Sequence, residues 1–149
     1  MKRILFLLIG VFVSVALHAE TIEVKVDSLT YSCDTETQKA TLTKSTTIIA
    51  EVTIPDKITV SGTEYSVVSI GQNAFNGNKL LKGLTIPEGI SSIGIDAFKD
   101  CYNLRKVVLP STVESIGGGA FKCSSLDHIY CKIETPLSIN VNVFANYNA

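Results

Sequence analysis

Ile70-Gly71-Gln72-Asn73-Ala74-Phe75 returns as Ile93-Gly94-Ile95-Asp96-Ala97-Phe98 and again as Ile116-Gly117-Gly118-Gly119-Ala120-Phe121, each block 23 residues after the last. Pro87 and Pro110, Ile90 and Val113, and Leu81 and Leu104 keep the same interval. Ile139 and Phe144 open a fourth copy, 23 residues after Ile116 and Phe121. A sustained period of about 20–30 residues implies a solenoid, in which each copy is one coil of the chain.

Overlaid, the copies read P-x-x-I/V-x-x-I-G-x-x-A-F-x-x-C/N-x-x-L-x-x-V/L-x-I/L-P. In the central copy the apolar positions are Ile90, Ile93, Ala97, Phe98, Leu104, Val107 and Leu109. Their spacing mixes steps of two, three and four, so no single helix or strand buries them all. Val107-Val108-Leu109 alternates as a short strand does, and Pro110, with no N–H to give, ends it. A second extended piece runs from Val113 to Ile116, with Gly117 after it to free the backbone at a corner. Asp96-Ala97-Phe98 and its equivalents read as short helical or 3-10 turns, too brief to stand alone. The fold expected is therefore a repeat solenoid, mainly β, with strands of neighbouring coils about 4.8 Å apart. Stacking puts Phe75, Phe98, Phe121 and Phe144 in one column and Ile70, Ile93, Ile116 and Ile139 in a second. Ala74, Ala97 and Ala120 form a small-residue column beside the rings.

The run I-G-x-x-A-F-x-x-C-x-x-L-x-x-V-x-L-P resembles the BspA-like type of leucine-rich repeat, a family of surface and secreted proteins of anaerobic bacteria and some protozoan parasites. The resemblance covers residues 50 to 149. Val52-Thr53-Ile54-Pro55, Gly62, Tyr65, Val68 and Ile70-Gly71 resemble the family's longer first repeat. Two departures stand out: Asn78 occupies the place of Cys101 and Cys123, and the third copy is one residue short, so that Leu126 takes the leucine position. The resemblance implies adhesion and protein binding.

The rest of the chain divides simply. Residues 1–19 read as a secretory signal peptide: Lys2 and Arg3, an apolar run from Ile4 to Leu17, and the small residue Ala19 before the cut. Export places the protein outside the cell, secreted or at its surface. Without Lys2 and Arg3, the 13 Lys+Arg against 14 Asp+Glu become 11 against 14, a net charge of −3. That argues against nucleic acid, whose phosphates want clustered cations. Residues 20–51 read as an N-terminal β-hairpin cap. Ile22, Val24 and Val26 alternate with polar residues, as do Leu29, Tyr31 and Cys33, and Asp34 to Gln38 form a polar turn. Residues 52–149 hold the solenoid, about three and a half repeats. After Phe144 the next leucine and strand do not follow, which reads as a loose cap or as a shortened array.

Catalysis has little to rest on, and the expectation is a non-enzyme without a cofactor or metal. His128 is the one histidine beyond the leader, and no nucleophile elbow, zincin helix or phosphate-binding loop is present. Gly117-Gly118-Gly119 is a repeat corner, since Gly117 repeats Gly71 and Gly94. The acidic residues lack calcium-ligand spacing, and no C-x-x-C pair is present for zinc. Cys101 and Cys123 fall at one repeat position in adjacent coils, within reach of a disulfide in an exported protein. The family pattern, in which cysteine is common there, favours two small buried hydrophobes instead. Cys131 takes an inward strand place and reads as core.

The binding residues are expected on the strand face. Thr53, Thr85, Val108 and Tyr130 point outward between two inward positions, and Gly83, Lys106 and His128 precede them. Lys106, Val108, His128, Tyr130 and Thr85 are the candidate binding residues, since solenoids bind through such faces and tyrosine is enriched at hot spots. A serine strip, Ser69, Ser92 and Ser115, reads as a solvated edge. The leading reading is protein–protein binding or adhesion, with extracellular matrix or host surface proteins as partners. A second is a structural module that self-associates or stacks on a partner chain through its open C-terminal end; a glycan-binding or glycan-acting protein is third.

Overall fold

The computed structural model describes residues 20–46, 50–123, 125–135, 137–139 and 142–144. The expectations for residues 1–19, including the leader, lie outside the described residues. The elements are β1 (Thr21–Val26), β2 (Leu29–Asp34), β3 (Lys39–Ser45), β4 (Glu51–Thr53), β5 (Lys57–Val60), β6 (Thr63–Ile70), β7 (Gly83–Thr85), β8 (Ser92–Ile93), β9 (Lys106–Leu109), β10 (Ser115–Ile116) and β11 (His128–Cys131). They form a β-solenoid of about four turns with two sheets and, among the described residues, no helix.

One sheet, ordered β4-β7-β9-β11, collects the strand that precedes each proline, and every pair in it is parallel. The other runs β1-β2-β3-β6-β8-β10, with β5 paired to β6. Here Ser69, Ser92 and Ser115 pair in register, as do Ile70, Ile93 and Ile116. Between the sheets lies the core: Leu81, Leu104 and Leu126 from one corner, Phe75, Phe98 and Phe121 from another, and the inward strand residues. The phenylalanine rings stack at centroid distances of 5.0, 5.2 and 5.8 Å along Phe75, Phe98, Phe121 and Phe144. Val143 is buried in the line of the alanines.

The corner carrying the phenylalanines is not a helical or 3-10 turn. It is a chain of β-turns whose amides alternate in direction. Ala97-type carbonyls serve the coil before: Phe75 N donates to Ala97 O, Phe98 N to Ala120 O and Phe121 N to Val143 O, at 2.7, 2.8 and 3.0 Å. The amides between them close local turns, as Lys99 N does on Asp96 O. Asn73, Asp96 and Gly119, at one repeat position, have φ of 59°, 53° and 70°. A left-handed residue there breaks any helix and turns the next amide toward the neighbouring coil.

Gly94 and Gly117 also differ from the expectation of a freed backbone, since neither has positive φ. A Cβ on Gly94 would lie 2.5 Å from Gln72 N, and one on Gly117 2.5 Å from Ile95 N. These glycines let one coil's backbone rest on the next.

The N-terminal stretch is a three-stranded antiparallel meander in place of a single hairpin. β1 pairs with β2 and β2 with β3, while β3 runs parallel to β6. Leu42 pairs with Ile70, and Gly71 N donates to Leu42 O at 2.7 Å, so β3 lies where a preceding coil would lie. β5 and β6 form a hairpin that lengthens the first repeat, turning at Ser61 and Gly62 with φ of 50° and 84°. Two positive φ values in a two-residue turn match the right-handed twist of the flanking strands.

Candidate functional site

The sheet of β4, β7, β9 and β11 turns two rows of side chains to solvent. Strand alternation sends Val52, Leu84, Val107 and Ile129 inward, so their neighbours face out. One row is Thr53, Thr85, Val108 and Tyr130; the other is Glu51, Gly83, Lys106 and His128. All five candidate residues, Thr85, Lys106, Val108, His128 and Tyr130, thus lie on one surface in adjacent ladder positions. Val108 is half-buried between its exposed neighbours.

The rows meet at Tyr130, which is 51% exposed. The Lys106 ammonium lies 4.9 Å from the centre of its ring, within cation–π range. The His128 ring stacks beside it at 6.2 Å and 15°. Lys106 and His128 are cross-strand partners, which fixes both beside the tyrosine. Below them Arg105 pairs with Asp127 of the next coil at 2.9 Å, an exposed bridge worth little energetically.

Glu51 was not among the candidates, although it precedes Val52 as Lys106 precedes Val107. Its carboxylate lies over Gly83, in the space a Cβ there would take. The lengthened first repeat hides the relation, because β4 and β7 are not separated by the common period. The face therefore runs from a carboxylate at β4 to a cation and two aromatic rings at β9 and β11.

Cys101 and Cys123 carry free thiols. Each donates to the phenylalanine carbonyl one coil back, Cys101 to Phe75 O at 3.1 Å and Cys123 to Phe98 O at 2.8 Å. The adjoining Cys123 thiol, together with burial, holds the Cys101 pKa far above the ordinary thiol range. Asn78, in the same column, instead accepts from the amides of Leu80 and Leu81, each at 3.2 Å. Cys131 corrects the expectation of a core residue. It pairs with Leu109 and faces inward, yet it is exposed, because no further strand among the described residues lies over it. Ile139 departs likewise: it is 43% exposed where Ile116 is 9% exposed. With Leu109, Ile116, Ile129 and Phe144 these two residues wall an apolar cavity of about 330 Å³. Among the described residues, no group of three His, Cys, Asp or Glu side chains could hold a metal ion.

Stacked 23-residue coils with strand, phenylalanine and leucine corners define a bacterial-type leucine-rich repeat solenoid. The profile of the BspA type leucine rich repeat region matches residues 57–149 as six copies, and the chain belongs to that family. A leucine rich cell surface protein from Faecalibacterium prausnitzii A2-165 is similar at 31% identity with a TM-score of 0.62; the match covers 67% of this chain and 27% of that one. The chain thus corresponds to about a quarter of that protein's length. A leucine-rich repeat protein from Bacteroides capillosus is 25% identical with a TM-score of 0.58, over 74% of this chain and 98% of the other. A leucine-rich repeat protein from Bacteroides ovatus, at 22% identity and a TM-score of 0.51, shares the fold. No curated protein matches the sequence.

Proposed function

We propose that this chain is a secreted or surface-exposed binding protein, not an enzyme, and that it adheres to extracellular matrix or host surface proteins through the face of β4, β7, β9 and β11. The observation that carries the reading is the Lys106–His128–Tyr130 group, exposed in adjacent positions on a regular parallel sheet. A rigid aromatic ring beside a cation costs little ordering entropy on binding, and tyrosine is enriched where interfaces hold most of their energy. The cell-surface description of the Faecalibacterium relative and the leader-like residues 1–19 support the location. In this reading the β1–β3 meander closes the core at the N-terminal end, as terminal units of repeat arrays do.

The test is binding of residues 20–149 to a panel of immobilised matrix proteins and host glycans at physiological salt. Saturable binding to a protein of the panel, abolished by the triple substitution Lys106→Ala, His128→Ala and Tyr130→Ala with far-UV circular dichroism unchanged, is the expected result. Affinity retained by the triple variant would move the site off this face.

A further inference from the structure

Cys101 and Cys123 meet at one carbonyl. Phe98 O accepts from Cys123 Sγ at 2.8 Å and from Cys101 N at 3.4 Å. Asp100 N donates to Lys122 O at 3.1 Å, so the backbones that carry the two thiols lie against each other. The Phe98 and Phe121 rings just before them stack at 5.2 Å. Coils at such a spacing fall inside the roughly 4.4–6.8 Å Cα separation that a disulfide spans. No other two of the four cysteines are placed this way. Cys33 lies in β2 opposite Ile22 and Ala40, Cys131 lies in β11 opposite Leu109, and the coil before Cys101 has Asn78 at this position.

The two thiols are not equivalent. Cys101 is fully buried, whereas Cys123 is partly exposed. Hydrogen bonding from the Cys101 thiol outweighs burial and holds the Cys123 pKa below the ordinary thiol range, so Cys123 ionises first. The thiolate is the attacking species in exchange with a disulfide. Both carbonyls that accept from these thiols also accept from an amide, Phe75 O from Asn78 N at 3.0 Å and Phe98 O from Cys101 N. Turning the sulfurs toward each other therefore strands no acceptor.

We propose that Cys101 and Cys123 are a redox-active dithiol, closed to an intrachain disulfide by exchange with a low-molecular-weight disulfide, with Cys123 attacking and Cys101 resolving. The Cys123 thiolate attacks one sulfur of R–S–S–R, forms a mixed disulfide and expels RS⁻. Cys101 then gives up its proton and attacks the Cys123 sulfur, which forms the intrachain bond and expels the second RS⁻. The protein loses two electrons and two protons, and the small disulfide leaves as two thiols. The bond ties two coils together and shifts the unfolding equilibrium about a hundredfold toward the folded chain. Neither cysteine belongs to the Lys106–His128–Tyr130 group, so the inference stands apart from the binding role of that face.

The test treats the reduced Cys131→Ser protein, which lacks the exposed thiol, with oxidised glutathione. Expected at the end point are the loss of two hydrogens by intact mass spectrometry, a cross-link between the peptides of Cys101 and Cys123, and no retained glutathione. The urea midpoint should rise on oxidation and return with dithiothreitol. In the same background, Cys101→Ala should stop at a glutathione adduct on Cys123, and Cys123→Ala should leave Cys101 unmodified, both with circular dichroism unchanged. Thiols that persist in the folded protein would overturn the proposal, whatever the variants do. So would a stable glutathione adduct on Cys123 with Cys101 present, or a cross-link that forms only in urea, since either would mean that the coils hold the sulfurs apart. An adduct on Cys101 in folded Cys123→Ala would overturn the assigned roles.

Discussion

Gly94 and Gly118 are both glycines with ordinary negative-side backbones, yet they answer to opposite constraints. A Cβ on Gly94 meets the Gln72 amide at 2.5 Å, while one on Gly118 meets nothing within 4 Å. Backbone cannot retreat as a side chain can, so Gly94→Ala should destabilise by about 3 kcal/mol. Gly118→Ala should be neutral or stabilising by about 0.4–1 kcal/mol, since it only restricts the unfolded chain. Urea titration of the two variants separates them; equal midpoints would remove the close-approach explanation. Tyr31 offers a pH test. It is fully buried, and its hydroxyl has no partner among the described residues. Burial first, then the Asp27 carboxylate and the Cys33 thiol, push its pKa up to about 12. The unfolded phenol titrates near 10, so between about pH 10 and 12 the unfolded state releases a proton that the folded state keeps. Stability falls as pH rises through that window, by about 1.4 kcal/mol per unit. Tyr31→Phe should leave stability at pH 7 equal or higher and flatten the alkaline fall; an unchanged slope would assign the loss to other groups.

At the scale of elements, each corner is held by a column. Phe98 is fully buried, stacked at 5.0 Å on Phe75 and 5.2 Å on Phe121, so its removal breaks two ring contacts and opens a cavity between three coils. Phe98→Ala should cost about 3–5 kcal/mol, measured by thermal or denaturant unfolding. Phe144→Ala should cost less, because that ring is half-buried and stacks on one side only. These columns were legible in the sequence, since the period alone aligns the residues. The turn type was not. Asn73 and Asp96 share their position with Gly119, and that mixture of residues, each tolerant of positive φ, was the available sign that the corner is not helical. The lengthened first repeat hid Glu51 for a related reason: the β5–β6 hairpin breaks the interval that reveals every other member of the face.

For the whole molecule, stability should be graded along the solenoid axis, because each coil is buried by its neighbours. The coil of Ile93 and Phe98 has covered neighbours on both sides, whereas β11 has one. Native-state hydrogen exchange should therefore be slowest at amides such as Gly94 and Phe98, bonded between inner coils, and markedly faster along β11. Uniform protection across all coils would indicate that β11 is covered in solution. The two sheets also end at different heights. The meander extends one sheet beyond the first coil, and the other begins and ends on bare edges among the described residues. No repeat interval records that offset, because it comes from a non-repeating segment.

The period, read from residue identity alone, determined the solenoid, the order of its columns, and which strand residues turn outward; a strand's alternation and a fixed repeat leave no other assignment. Thr85, Lys106, Val108, His128 and Tyr130 could be grouped on one surface for that reason. Tertiary structure decided what periodicity cannot carry. It set how closely coils rest on Gly94 and Gly117, placed the Glu51 carboxylate over Gly83, and left Cys131 exposed although its sequence position is a core position. Burial depends on what lies on both sides of a residue, and a repeat specifies its own coil without specifying whether another covers it.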